Sequence, residues 1–252
     1  MKGLMLMFSP SFSLRSLARW SALLVLVLLQ ACATVANPDR RDPMEALNRN
    51  IFGFNDAVDT ALLQPIATIY RGVTPNFVRL GVGNFFNNLD DVWSAVNNAL
   101  QGRPKHAGES IGRVVINTTV GLLGVVDVAS NLELERRPAN FGLTLGRWGV
   151  KPGPYVVLPL LGPSTLREVV ALPIDLQGNL TSHVQEENLR TILTGLNVVN
   201  TRSNLLQASS VVNDAALDKY SFFRDAYLQR QRNKFYDGNP PEEEEVLPPP
   251  TK

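Results

Sequence analysis

Sulfur and imidazole are almost missing from this chain: its 252 residues include one cysteine and two histidines. A single thiol forms no internal disulfide, so stability must come from a buried core or from membrane contact. His106 and His183 lie far apart, and neither belongs to an HExxH or any other metal-ligand spacing. No Gly-x-Ser-x-Gly elbow and no phosphate-cradling glycine loop occurs. Ser164, in Gly-Pro-Ser-Thr, is better explained by capping than by nucleophilic attack. Asp90 and Asp91 are adjacent, so on a helix they point to different sides and make no natural acid–base pair. Catalysis is therefore poorly supported, and neither a cofactor nor a metal is expected. One-sided charge is missing as well: a formal net charge of +1 gives no field to attract nucleic acid.

Long apolar runs are also scarce. The greasiest stretch, around residues 22–29, is about ten residues long, against the roughly twenty a spanning helix needs. A later one, residues 155–161, is broken up by Pro154, Pro159 and Pro163. What surrounds the first run is informative. Lys2, Arg15 and Arg19 precede it, and Leu29-Gln30-Ala31-Cys32 follows. This is the order of a secretory signal, residues 1–31, with cleavage directly before the cysteine. It looks like the lipobox of bacterial lipoproteins, in which Cys32 is acylated on sulfur and then on its new amine. Each buried methylene adds about 0.8 kcal/mol, so three acyl chains hold a protein on a bilayer lastingly. Cleavage leaves about 220 residues, enough for one large domain.

Residues 32–41 read as a lipidated tether and 42–236 as one helical domain. Asp42 suits an N-cap, Pro43 the first helical position, and Glu45 completes a capping box. Met44, Leu47, Ile51, Phe54, Val58 and Leu62 then recur at helical spacing. Pro65 and Pro75 divide the following chain into short pieces. Further helices are expected over 76–87, 92–101, 106–121, 140–145, 165–172, 186–196, 201–211 and 215–235. No alternating run is long enough for a sheet, so the fold class is all-α with many short helices. Residues 146–163 combine glycine, proline and apolar side chains, which suits a compact hairpin or an irregular core loop. Residues 237–252, with Glu242–Glu245 and repeated prolines, read as a disordered tail.

Ordered blocks then carry a resemblance. They include Asp42-Pro43-Met44-Glu45-Ala46-Leu47-Asn48-Arg49, Gly83-Asn84-Phe85-Phe86-Asn87-Asn88-Leu89, and Phe141-Gly142-Leu143-Thr144-Leu145-Gly146-Arg147-Trp148-Gly149. Gly153-Pro154-Tyr155, Gly162-Pro163-Ser164-Thr165-Leu166-Arg167 and Tyr220-Ser221-Phe222-Phe223-Arg224-Asp225-Ala226-Tyr227 continue the series. From 42 to 232 the chain resembles the MlaA, or VacJ, lipoproteins. A proline common in relatives near Leu89-Asp90-Asp91-Val92 is absent, which bears on where that helix starts. The resemblance implies a ring-like helical bundle embedded in the inner, periplasm-facing leaflet of a Gram-negative outer membrane, with a central polar channel. It implies removal of misplaced phospholipids from the outer leaflet, handover to a periplasmic carrier, and association with a trimeric porin. Ala33, after the anchor cysteine, agrees with outer-membrane sorting.

Physics sits well beside that implication. A lipid head loses its solvation in hydrocarbon, so a wet polar path lowers the barrier to moving it. Asparagines give neutral donors and acceptors, and Asn84, Asn87, Asn117 and Thr118 are the candidate channel contacts; as caps or turn residues they need no such role. Phe52, Phe54, Trp148 and Tyr155, with Arg147 and Lys151, are candidates for the membrane interface. The last helix carries Arg224, Arg230, Arg232 and Lys234, suited to anionic headgroups or to an ordinary solvated face. Two other readings compete: a lipid-anchored envelope enzyme using Ser164 and a histidine, and a porin-binding structural adaptor.

Overall fold

Helices form nearly all of the regular backbone in this computed structural model, which describes residues 39–242. The signal, Cys32 and most of the tether lie outside the described residues, as does the tail from 243 onward. Helix α1 (Glu45–Val58) runs through a π-helical turn (Asp59–Leu63) straight into α2 (Gln64–Val73). Pro65 therefore does not break the chain. The wider turn just before it accommodates its ring and its missing N–H. Thr74 is extended, as the residue before a proline must be, and the break falls there instead.

The expected N-cap is not formed. Met44 holds the cap position without a side-chain bond, while Asp42 is fully buried, accepting from Asn48 Nδ2 at 2.7 Å and from the Tyr220 hydroxyl. Two side-chain donors, one of them from the far end of the chain, outcompete a local cap.

Helix α3 (Asn76–Leu100) runs unbroken through the Asp90-Asp91 region where two helices were expected. Gln101, Gly102 (φ +70°) and Arg103 turn the chain into α4 (Pro104–Thr119), which packs along α3. A tight turn with Leu122 and Leu123 at positive φ leads to α5 (Val128–Asn131), capped by Asp127. Asn140 caps α6 (Phe141–Arg147) by accepting from Leu143 N at 2.9 Å.

Among the described residues, the one clear departure from an all-α fold is a hairpin. Strands β1 (Tyr155–Leu158) and β2 (Gly162–Thr165) pair antiparallel, Tyr155 opposite Thr165. Helix α7 (Leu166–Gly178) follows and carries Pro173 inside it, past the stop expected at 172. A 3₁₀ turn (Leu180–His183) leads to α8 (Glu187–Ala215), a single helix where two were expected. Helix α9 (Lys219–Phe235) starts later than the periodicity suggests, at an Asp218 cap. Beyond it Asp237, assigned by composition to the tail, ion-pairs with Arg103.

Polarity is arranged against the habit of water-soluble proteins. The apolar core is small: Tyr155, Val157 and Tyr220, with Ile51, Phe52, Tyr227 and Leu228 packed on it. Most fully buried side chains are polar, among them Asp42, Asn48, Asp91, Asn97, Asn98, Ser110, Thr144, Asn200 and Ser203. Large apolar residues face outward instead: Ile69 and Val73 on α2, Phe77 and Leu80 on α3, Ile111 and Val115 on α4, Leu122 and Leu123 in the turn. Phe77 and Val73 are each 75% exposed. Where such residues adjoin, they mark a surface for a protein partner or a membrane. No helix among the described residues is long and apolar enough to cross a membrane.

Candidate functional site

Buried ion pairs fix the polar interior. Arg113 on α4 is 2% exposed, and each of its three nitrogens donates. Nε donates to Asp91 (3.1 Å), Nη1 to Ser130 Oγ (3.0 Å) and the Leu134 carbonyl (2.6 Å), and Nη2 to both Asp127 oxygens (3.0 and 2.9 Å). Burial pushes the Asp127 carboxyl up, but hydrogen bonds from Ser130, Arg113 and Asn117 outweigh it and hold it at about 2. Arg136 completes the set, donating to Asp91 at 2.9 Å. This network ties α3, α4 and α5 to the 134–139 segment.

Beside it lie two cavities. The first, about 520 Å³, opens between the end of α3, residues 136–139, α6 and α9. The second, about 560 Å³, lies between α3, α7, the β-hairpin and α9. They adjoin, since Arg136, Pro138, Ala139, Leu143, Arg230 and Lys234 line both. The first is strongly cationic, with Arg103, Arg137 and Arg147 added. The second is mixed: Trp93, Leu158, Leu161 and Leu172 share it with Asp90, Glu168 and Asp175. Burial pushes the Glu168 carboxyl above its ordinary range, against the pull of an Asn140 hydrogen bond. No group of side chains suited to a metal occurs among the described residues.

The sequence-expected contacts are scattered around this hollow, and Asn84, Asn87, Asn117 and Thr118 line neither cavity. Asn84 donates to the Val125 carbonyl at 3.1 Å, while Asn87 offers its backbone carbonyl to Arg136. Asn117 is buried with its amide committed at both ends, to Asp127 and to Ala129 N. Thr118 accepts from the buried Asn88 at 3.0 Å. Asn98, from the same asparagine-rich stretches, does line the first cavity.

The aromatic candidates separate into inside and outside. Tyr155 is fully buried, so its place is the core and not an interface. Phe52 packs edge-on against Tyr220, ring centres 5.6 Å apart, and is likewise a core residue. Phe54 and Trp148 are more than half exposed, and Trp148 donates to the Leu100 carbonyl. Arg147 turns inward, its guanidinium 4.5 Å from the Phe235 ring centre, whereas Lys151 is exposed.

The basic face of the last helix resolves into distinct roles. Arg224 is buried among Asp39, Asp42, Glu45 and Asp225. Arg232 reaches the Pro241 carbonyl. Arg230 and Lys234 face the hollow. Their four-residue spacing was the available signal, but only the packing shows what they face. Ser164 is buried and donates to the Thr165 carbonyl, and His183 bonds to Asn179 and Ser182, so no serine–histidine pair is formed between them.

Ion pairs and amides within, apolar side chains without, and a cation-lined hollow along α9 define a helical protein built inside out. The chain belongs to the MlaA lipoprotein family, whose pattern matches residues 40–234. It is similar to the Shigella flexneri intermembrane phospholipid transport system lipoprotein MlaA, with 36% identity over 209 residues covering 81% of this chain and 82% of the relative. The Haemophilus influenzae protein of the same description is 32% identical over 237 residues, covering 90% and 94%. A solved structure described as the structural basis for maintenance of bacterial outer membrane lipid asymmetry is 34% identical. It superposes with a TM-score of 0.68 over 79% of this chain and 100% of that one.

Proposed function

We propose that this protein is an outer-membrane lipoprotein of a Gram-negative cell that takes mislocalised phospholipids from the outer leaflet through its polar hollow. It hands them to a periplasmic carrier and works beside a trimeric porin. The relatives' description as intermembrane phospholipid transport lipoproteins supports the role. The inverted polarity carries the mechanism: an apolar rim suits hydrocarbon, and a wet, charged hollow offers the lipid head a path that avoids desolvation. The tails stay in oil while the head passes. Nothing in such a path couples to an energy source, so net direction is set by what removes lipid at the far side.

Ala226 and Gln229 on α9 line the first cavity and are exposed, so tryptophan there fills the hollow without disturbing the core. In cells lacking their own copy, the wild-type chain restores detergent resistance and clears phospholipid from the outer leaflet. A226W and Q229W, present at normal level and folded, fail to do so while still capturing the porin. Full restoration by both plugged variants overturns the channel reading and leaves the adaptor. Loss of clearance in S164A or H106A, with folding intact, favours an enzyme instead.

A further inference from the structure

Six cationic side chains line the two cavities, and four have partners. Arg103 ion-pairs with Asp237, Arg136 with Asp91 and Arg137 with Glu135, while Arg147 donates to the Phe235 carbonyl. Arg230 and Lys234 have no carboxylate within ion-pair distance among the described residues. They stand one helical turn apart on the same face of α9, at the place where the cavities join. Burial and the Arg230 charge, with a smaller push from Arg136, hold the Lys234 ammonium below its ordinary value. Glu168 opposes this but is itself bonded to Asn140 and drawn to Arg167. Lys234 is thus kept half-buried beside a like charge, the exposed Arg230, with no carboxylate paired to either, an arrangement that folding alone does not favour.

We propose that Arg230 and Lys234 form the phosphodiester-binding station of the hollow, where the anionic phosphate of a glycerophospholipid head is the counter-ion they lack. This rests on the transport reading above. Arginine supplies a planar fork for two phosphate oxygens, and lysine a point charge one turn further on. Phosphate is common to glycerophospholipids, so such a station recognises the class while the rest of the head remains free to vary.

Binding to the full-length protein in detergent micelles tests this, with dihexanoylphosphatidylglycerol, dihexanoylglycerol and inorganic phosphate as probes. R230Q and K234Q each weaken the phosphate-bearing lipid about tenfold, leave dihexanoylglycerol unchanged, and make binding less salt-sensitive. K151Q, at an exposed cation lining neither cavity, has no effect. K234Q also melts at the same temperature or higher, because a repulsion has been removed; a merely structural lysine would lower both melting temperature and affinity. Wild-type binding by the double variant overturns the station and leaves transport standing. Equal loss of the phosphate-free lipid assigns the change to a distorted wall and also overturns it. Inorganic phosphate bound as tightly as the lipid, with the same residue dependence, overturns the lipid assignment. Failure of the wild-type chain to bind either lipid removes the transport reading itself.

Discussion

Replacing Arg113 by methionine tests how far the polar interior holds the fold together. The side chain keeps comparable length but loses all five donors. Asp91 retains its 2.9 Å bond to Arg136, and Asp127 retains Ser130 and Asn117, so each carboxylate is left partly compensated. Breaking a buried pair from one side costs about 3–5 kcal/mol, which for a domain of this size lowers the melting temperature by roughly 10 °C. Circular dichroism of the full-length protein in mild detergent reads the shift. R113K, which keeps charge but not the fork, falls between. Adding D127N to R113M recovers part of the loss, since the orphaned charge is then gone. The acid limb gives a second check. The Asp127 carboxyl, held at about 2 in the fold against an ordinary 3.8, contributes stability that is present above pH 4 and lost as pH falls toward 2. R113M shrinks that acid-dependent part. A melting temperature within a degree or two of wild type, or additive effects of R113M and D127N, refutes the reasoning.

Tyrosines in the core make opposite predictions. Tyr155 Oη is buried without a hydrogen-bond partner, so Y155F is neutral or stabilising in a thermal melt. Tyr220 donates to buried Asp42, so Y220F loses about 1–3 kcal/mol. At Gly178 an added Cβ falls 2.2 Å from the Trp93 ring, which is held by a 2.8 Å bond from its Nε1 to Asp175. G178A therefore displaces Trp93 in the wall of the second cavity, seen as a shifted tryptophan emission and a lower melting temperature. Ile69 and Val73 are 67% and 75% exposed, so I69D/V73D in a C32A background keeps its helical content but cosediments with liposomes about tenfold less. Equal cosedimentation argues against a membrane-facing rim.

Much of the local structure is legible from residues alone. A short helix is expected at 140–145, and α6 forms there with Asn140 as its cap. Gly102 and Pro104 mark the turn between α3 and α4. Residues 146–163 suit a compact hairpin, and one forms there, although its four-residue strands are too short for alternation to reveal. Boundaries fail where a distant partner intervenes. Asp42 leaves its cap for Asn48 and Tyr220, and Pro65 is absorbed by a π turn. Asn84, Asn87 and Asn117 line neither cavity, for the same reason. An amide pairs with whatever lies nearest, and Asn117 is fully used by a loop ten residues further along.

The chain's periodicity determined that its helices have two faces, and its caps and glycines determined where several of them begin and turn. Which face goes inward is a different question. A stripe of leucine and isoleucine packs against a core in water and against hydrocarbon in a bilayer, so the same spacing serves both. Only the tertiary structure decided it here, by gathering Arg113, Asp91 and Asp127 at the centre, where each satisfies the others. That left Ile69, Val73 and Phe77 exposed and turned Arg230 and Lys234 toward a shared hollow.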